Sequence, residues 1–169
     1  AMNVEGCTFQ NLEYPTSSKL GAINFTGAKN GSSLSVNNCV FKNLKKNSGA
    51  AEVVGIYTQA ENSNAIDTIS VTNSTFDTIQ GTALSLRNSP NVTITGNTFE
   101  NWAAADSGKN DGRAVRLDFS NQTVQNLTFK ENKMVAGSGA KESYLKVDHV
   151  TEKSSLNVSN NYWDAKDPV

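Results

Sequence analysis

Residues Val92–Trp102 read VTITGNTFENW. Val92, Ile94 and Phe99 are apolar, Thr93 and Thr95 polar, and Gly96-Asn97 breaks the alternation. Alternation at a period of two is the mark of a half-buried strand. The same pattern recurs on both sides: MNVEGCTF from Met2, LSVNNCVF from Leu34, ISVTNSTF from Ile69, LTFKENKM from Leu127 and LNVSNNYW from Leu156. Each ends on a large apolar residue: Phe9, Phe41, Phe76, Phe99, Met134 and Trp163. Successive members of that column lie 32, 35, 23, 35 and 29 residues apart.

A second set of alternating segments falls between the first: Ile23-Asn24-Phe25, Val54-Gly55-Ile56, Leu84-Ser85-Leu86, Val115-Arg116-Leu117 and Leu145-Lys146-Val147. Two strands per irregular period, with room for a shorter third, predict a coil. One coil buries too little apolar surface to stand alone. Coils stacked about 4.8 Å apart bury it continuously and pair every strand with its neighbours. The unequal spacings then become loops of unequal length on a constant frame. Hairpins, with tight two-residue turns, do not fit. Nor do strict hexapeptide or leucine-rich repeats. The expected fold is all-β, a right-handed parallel β-helix of about five to six coils in one domain over residues 1–169. A β-sandwich is the structural alternative.

Three columns test this register. The fifth motif position holds Gly6, Asn38, Asn73, Gly96, Glu131 and Asn160. Gly and Asn tolerate positive φ, which predicts a sharp bend with Glu131 as the outlier. The sixth holds Cys7, Cys39, Ser74, Asn97, Asn132 and Asn161, a ladder of side chains bonding along the axis. The third, Val4, Val36, Val71, Ile94, Phe129 and Val158, belongs in the core with the aromatic column, Trp163 included. Cys7 and Cys39 are expected there as stacked free thiols, with a disulfide between them as the alternative.

Fifteen basic and sixteen acidic residues give a formal charge of −1. No basic stripe points to nucleic acid, and no apolar run reaches the length of a membrane span. Two cysteines and one histidine, His149, argue against a zinc site or a serine–histidine–aspartate triad.

The segments VTITGNTFENW and LNVSNNYWD, from Val92 and Leu156, resemble the pectate-lyase-like superfamily of right-handed parallel β-helices, over most of the chain from about Asn3 to Asp164. That resemblance implies an extracellular or cell-surface protein of bacterial type that handles carbohydrate. The superfamily spans lyases, glycosidases, adhesins and tailspikes, so it leaves activity open. Its enzymes have more coils and an N-terminal capping helix. Here Met2 enters the first strand directly, which predicts a segment of a larger protein and end-to-end association through unpaired strands.

Aligning the second strands predicts two outward files. One is Asn24, Gly55, Ser85, Arg116 and Lys146; the other is Thr26, Tyr57, Arg87, Asp118 and Asp148. They make the densest charged patch in the sequence. Its candidate catalytic residues are Asp118, Asp148, Arg116 and Lys146. The resemblance implies Ca²⁺ on Asp118 and Asp148, with arginine or lysine as the base, as in uronan lyases. Two carboxylates about 5 Å apart also suit retaining glycoside hydrolysis. Asp111, seven residues before Asp118, is another partner, although an extended strand would hold the two roughly 20 Å apart. The competing expectation is a plain surface salt-bridge lattice of small energetic weight.

Candidate ligand-binding residues are Trp102, Asp106, Asp111, Arg113, Arg87 and Tyr57. Trp102 borders the polar loop Ala103 to Arg113, which has the composition of a binding rim. Packing at a corner in line with Leu12, Leu44 and Ile79 is the plainer role for its ring. The leading functional expectation is a non-catalytic carbohydrate-binding surface domain. A lyase or glycosidase, or a spacer coil, are the rivals.

Overall fold

A computed structural model describes residues 1–14, 20–46, 52–102, 113–119, 125–136, 144–148 and 154–164. The chain climbs through β1 (Met2–Glu5), β2 (Thr8–Gln10), β3 (Glu13–Tyr14) and β4 (Leu20–Ala28). The next rungs are β5 (Ser32–Asn37), β6 (Val40–Lys46), β7 (Val53–Ala60), then β8 (Ile66–Thr72), β9 (Thr75–Ile79), β10 (Thr82–Arg87). Above them lie β11 (Asn91–Thr95), β12 (Thr98–Glu100), β13 (Val115–Asp118) and β14 (Asn126–Lys130), β15 (Lys133–Val135), β16 (Leu145–Asp148). The last are β17 (Ser155–Ser159) and β18 (Tyr162–Trp163).

Like strands stack into three parallel sheets: a six-stranded β1-β5-β8-β11-β14-β17, a five-stranded β4-β7-β10-β13-β16 and a seven-stranded sheet running β2-β6-β9-β12-β15-β18, with β3 paired to β6. This is the expected parallel β-helix. Five rungs carry a strand in each sheet, so about four turns separate the first full rung from the last, slightly fewer than expected.

The repeat columns are the stacking register. Phe9 pairs with Phe41, Phe41 with Phe76, Phe76 with Phe99, Phe99 with Met134 and Met134 with Trp163. The four phenylalanine rings stack at 4.9, 4.6 and 5.0 Å between centroids. Parallel offset rings at this spacing add to the area they bury. The column from Val4 to Val158 pairs in the same one-to-one way.

The bend column is confirmed at every rung. Gly6, Asn38, Asn73, Gly96, Glu131 and Asn160 all have φ between 50° and 69°. The backbone N–H of each of the first four donates to a carbonyl one rung on, at 3.1 Å. Glu131 keeps the bend at φ 56° with a longer bond of 3.4 Å. A second bend column, Asn11, Asn43, Thr78 and Asn101, has φ from 53° to 56° and was not anticipated. Its signal is present in the sequence: each member lies two residues after a column phenylalanine.

The ladder forms as expected. Backbone N–H groups of Cys39, Ser74, Asn97 and Asn132 donate to side-chain oxygens of Ser74, Asn97, Asn132 and Asn161 at 2.9–3.0 Å. Each amide NH₂ then reaches a carbonyl of the rung below, Asn97 to Val71, Asn132 to Ile94 and Asn161 to Phe129.

Cys7, Val158 and Trp163, at the two ends of the stack, depart from the expected core, Val158 being exposed. Cys7 is exposed, although Cys39 is buried, because no rung of the described residues lies below its own. Both thiols are free, and burial pushes the Cys39 thiol pKa up. Trp163 stacks on Phe129 and meets Tyr144 edge-on, yet remains 38% exposed on the last rung.

Candidate functional site

The outward face of the second sheet carries the charges the sequence singled out. Alternation turns Leu84, Leu86, Val115 and Leu117 into the core and sends Ser85, Arg87, Arg116 and Asp118 the other way. Arg87 pairs with Asp118 and Asp118 with Asp148 across successive strands. Ser85 pairs with Arg116 and Arg116 with Lys146 in the adjoining file. The expected cluster of Arg87, Asp118, Asp148, Arg116 and Lys146 is therefore assembled.

One part of the expected register is wrong. Asn24 pairs with Tyr57 and Tyr57 with Ser85. Tyr57 thus belongs to the Ser85–Arg116 file, not the Arg87–Asp118 file, and Gly55 is not a member of the outward file. Thr26 pairs with Gln59. The error is a slip of two residues in β7. Strict alternation does not hold in β7: a Cβ on Gly55 would meet the buried Phe76 ring at 3.1 Å, so Gly55 faces the core beside Ile56 and alternation alone misplaces the register.

The charges interlock across the files. Asp118 Oδ2 lies 3.5 Å from Arg87 Nη2 and 3.5 Å from Arg116 Nη2. Asp148 Oδ2 lies 3.8 Å from Arg116 Nε, and its Oδ1 lies 3.1 Å from Lys146 Nζ. The expected stacking of like carboxylates is thus interleaved with cations. The carboxylates sit low, with the Asp118 side chain 11% exposed, while the Lys146 side chain reaches 38%. Among the described residues this cluster sets three cations against two carboxylates. The Arg87 guanidinium carbon stands 5.9 Å from the centre of the Tyr57 ring, a cation–π contact. Tyr57 is largely buried, and its hydroxyl donates to Gln59 Oε1.

This arrangement does not match a calcium cradle. Ca²⁺ takes six to eight oxygen ligands. Among the described residues no three His, Cys, Asp or Glu side chains come together for a metal ion. Both carboxylates are also faced by cations, which would repel a second positive charge.

The remaining candidates scatter. Trp102 is 1% exposed and meets Tyr144 edge-on at 5.2 Å. Its ring belongs to the core and presents no face to a sugar, as the plainer expectation held. Arg113 is also buried, at the entry to β13. Asp106, Asp111, the intervening loop and His149 lie outside the described residues.

A smaller polar cluster at the second bend was missed by sequence reasoning. The Asp77 carboxylate receives Lys42 Nζ at 3.0 Å, Thr78 Oγ1 at 2.8 Å and Asn101 Nδ2 at 3.3 Å. Burial alone would raise its pKa. The Lys42 hydrogen bond, with those from Thr78 and Asn101, outweighs burial and holds the carboxyl below its ordinary value. Next to it, Lys133 Nζ bonds Glu100 Oε1 at 3.0 Å. These bonds tie the bend column together.

No protein-family model, curated protein or solved structure matches the chain. No helix of the described residues is long and apolar enough to cross a membrane.

Proposed function

We propose that this chain is a surface-displayed β-helix domain of bacterial, extracellular type that holds a glycan against the outer face of the β4-β7-β10-β13-β16 sheet without cleaving it. The observation that carries this reading is the interlocked ladder of Arg87, Asp118, Arg116, Asp148 and Lys146 over three adjacent rungs. Binding sites need polar groups held in fixed positions by a rigid scaffold. Here strand pairing fixes the backbone of each member. The repeat motifs support a place among the pectate-lyase-like β-helices. A lyase or glycosidase is the weaker reading, because the carboxylates it would employ are turned to arginine and lysine rather than to an open cleft.

The same reading includes end-to-end self-association. The last rung leaves Leu156, Val158, Tyr162 and Trp163 exposed, on a motif that stacks on its own repeats throughout the chain. Sedimentation of the isolated chain should show mass rising with concentration. A monomer at every concentration removes this part.

Binding to an array of immobilised glycans tests the main claim, with sugar release followed in parallel. The expected result is retention of at least one glycan, no release of unsaturated or reducing ends, and loss of binding in Arg87→Ala and Arg116→Ala with an unchanged circular dichroism spectrum. No glycan retained overturns the proposal. Release abolished by Asp118→Asn replaces it with the enzyme reading.

A further inference from the structure

Three donors of the charged face make no hydrogen bond, although Arg116 Nε stands 3.8 Å from the Asp148 carboxylate. Ser85 Oγ, Arg87 Nε and Arg116 Nε are all buried and unbonded, and Ser85 is only 1% exposed. Buried donors without acceptors are costly and rare in folded proteins. These three are neighbours by register: Ser85 lies opposite Arg116 on the next strand, and Arg87 follows Ser85 by two residues on the same face.

The carboxylates do not use up the guanidinium groups. Charge-assisted N–H···O bonds run about 2.7–2.9 Å. The three arginine–aspartate contacts are longer, at 3.5, 3.5 and 3.8 Å. Each guanidinium has five N–H donors in a planar fork, and the Nε donor of each makes no hydrogen bond. Among the described residues the cluster has one more cation than carboxylates, and the Tyr57 ring steadies Arg87.

We propose that Ser85, Arg87 and Arg116 form a subsite for a tetrahedral oxyanion, a sulfate or phosphate ester borne by the bound glycan; this rests on the carbohydrate-binding reading above. Three donors suit the three terminal oxygens of such an ester better than the two of a carboxylate. The anion meets the partly exposed ends of Arg87 and Arg116 first. It draws each fork round so that Nε and an Nη bond it together, and the Ser85 hydroxyl closes the site from below.

Calorimetric titration of the whole chain tests this at constant ionic strength. The probes are sodium sulfate, a sulfated oligosaccharide, its phosphorylated counterpart and the unesterified parent. Sulfate should bind where chloride does not, and one ester should bind roughly tenfold or more tighter than the parent. The tighter of the two esters identifies the source. Arg116→Lys keeps the charge but loses the fork, and should remove most of that preference. Ser85→Ala should weaken the ester severalfold without lowering the melting temperature, because its hydroxyl bonds nothing in the free protein. A parent that binds as tightly as both esters overturns the subsite and leaves the carbohydrate reading standing. Binding of sulfate with no binding of any oligosaccharide does the reverse. An unchanged ester affinity in Ser85→Ala also overturns the three-donor site.

Discussion

Asn132 Oδ1 accepts two bonds from Asn97, one rung below: the backbone N–H at 3.0 Å and the side-chain NH₂ at 3.1 Å. Asn132 then donates its own NH₂ to Ile94 O and Asn161 Oδ1, at 3.0 Å each. Both residues are almost fully buried. One side chain thus settles polar groups on three rungs, and a hydrophobic isostere would leave several orphaned.

Asn132→Ala should therefore destabilise the fold by about 2–4 kcal/mol, since each buried group left unbonded costs about 1–3 kcal/mol. Urea unfolding measures this. A loss under about 0.5 kcal/mol, the range of a neutral surface change, would mean that the ladder is decoration.

Glu131 holds φ at 56° in a column otherwise made of Gly and Asn. Its only ion pair among the described residues, with Lys130 at 3.9 Å, is loose and exposed and so is weak. Glu131→Asn should raise stability by about 0.5–1 kcal/mol by easing the left-handed conformation. A lower melting temperature in this variant would show that the glutamate has a role beyond the bend.

Asp77 offers a pH test. Its folded-state pKa lies below the ordinary value: burial raises it, but Lys42, Thr78 and Asn101 outweigh burial. A depressed carboxylate contributes stability that is present above its unfolded-state pKa and lost as pH falls through the folded-state one. Asp77→Asn should be less stable than the parent at neutral pH, with the gap closing as the solution is acidified below the normal carboxylate range. A gap that is constant with pH would show that the Lys42 contact contributes nothing through charge.

Most of the frame was legible from two sequence features. The recurring turn residues mark where each coil bends, and the large apolar residue after each turn fixes what stacks on what. Hence Phe9 through Trp163 fall in register although the spacings vary, and even Glu131 was placed correctly. The second sheet has no such marker. In β7 the run Val53-Val54-Gly55-Ile56-Tyr57 breaks alternation, because Gly55 and Ile56 both face the core, so a register drawn from alternation put Tyr57 in the wrong file. The charged cluster survived because the slip lies in β7, while Arg87, Asp118 and Asp148 sit above it on β10, β13 and β16. The unbonded donors of Ser85, Arg87 and Arg116 were not legible at all. They depend on where side chains end, which strand alternation does not specify.

Every site assignment rests on side chains one coil apart lying in a common file. Aromatic nuclear Overhauser spectra of the phenylalanine rings address this directly. Contacts are expected between Phe9 and Phe41, Phe41 and Phe76, and Phe76 and Phe99, whose centroids are 4.6–5.0 Å apart. None is expected between Phe41 and Phe99, which stand two rungs, or about 9.6 Å, apart. Rings that show no contact with their neighbours in this series, or a direct contact between Phe9 and Phe99, would contradict the stacked coil and the charged face built on it.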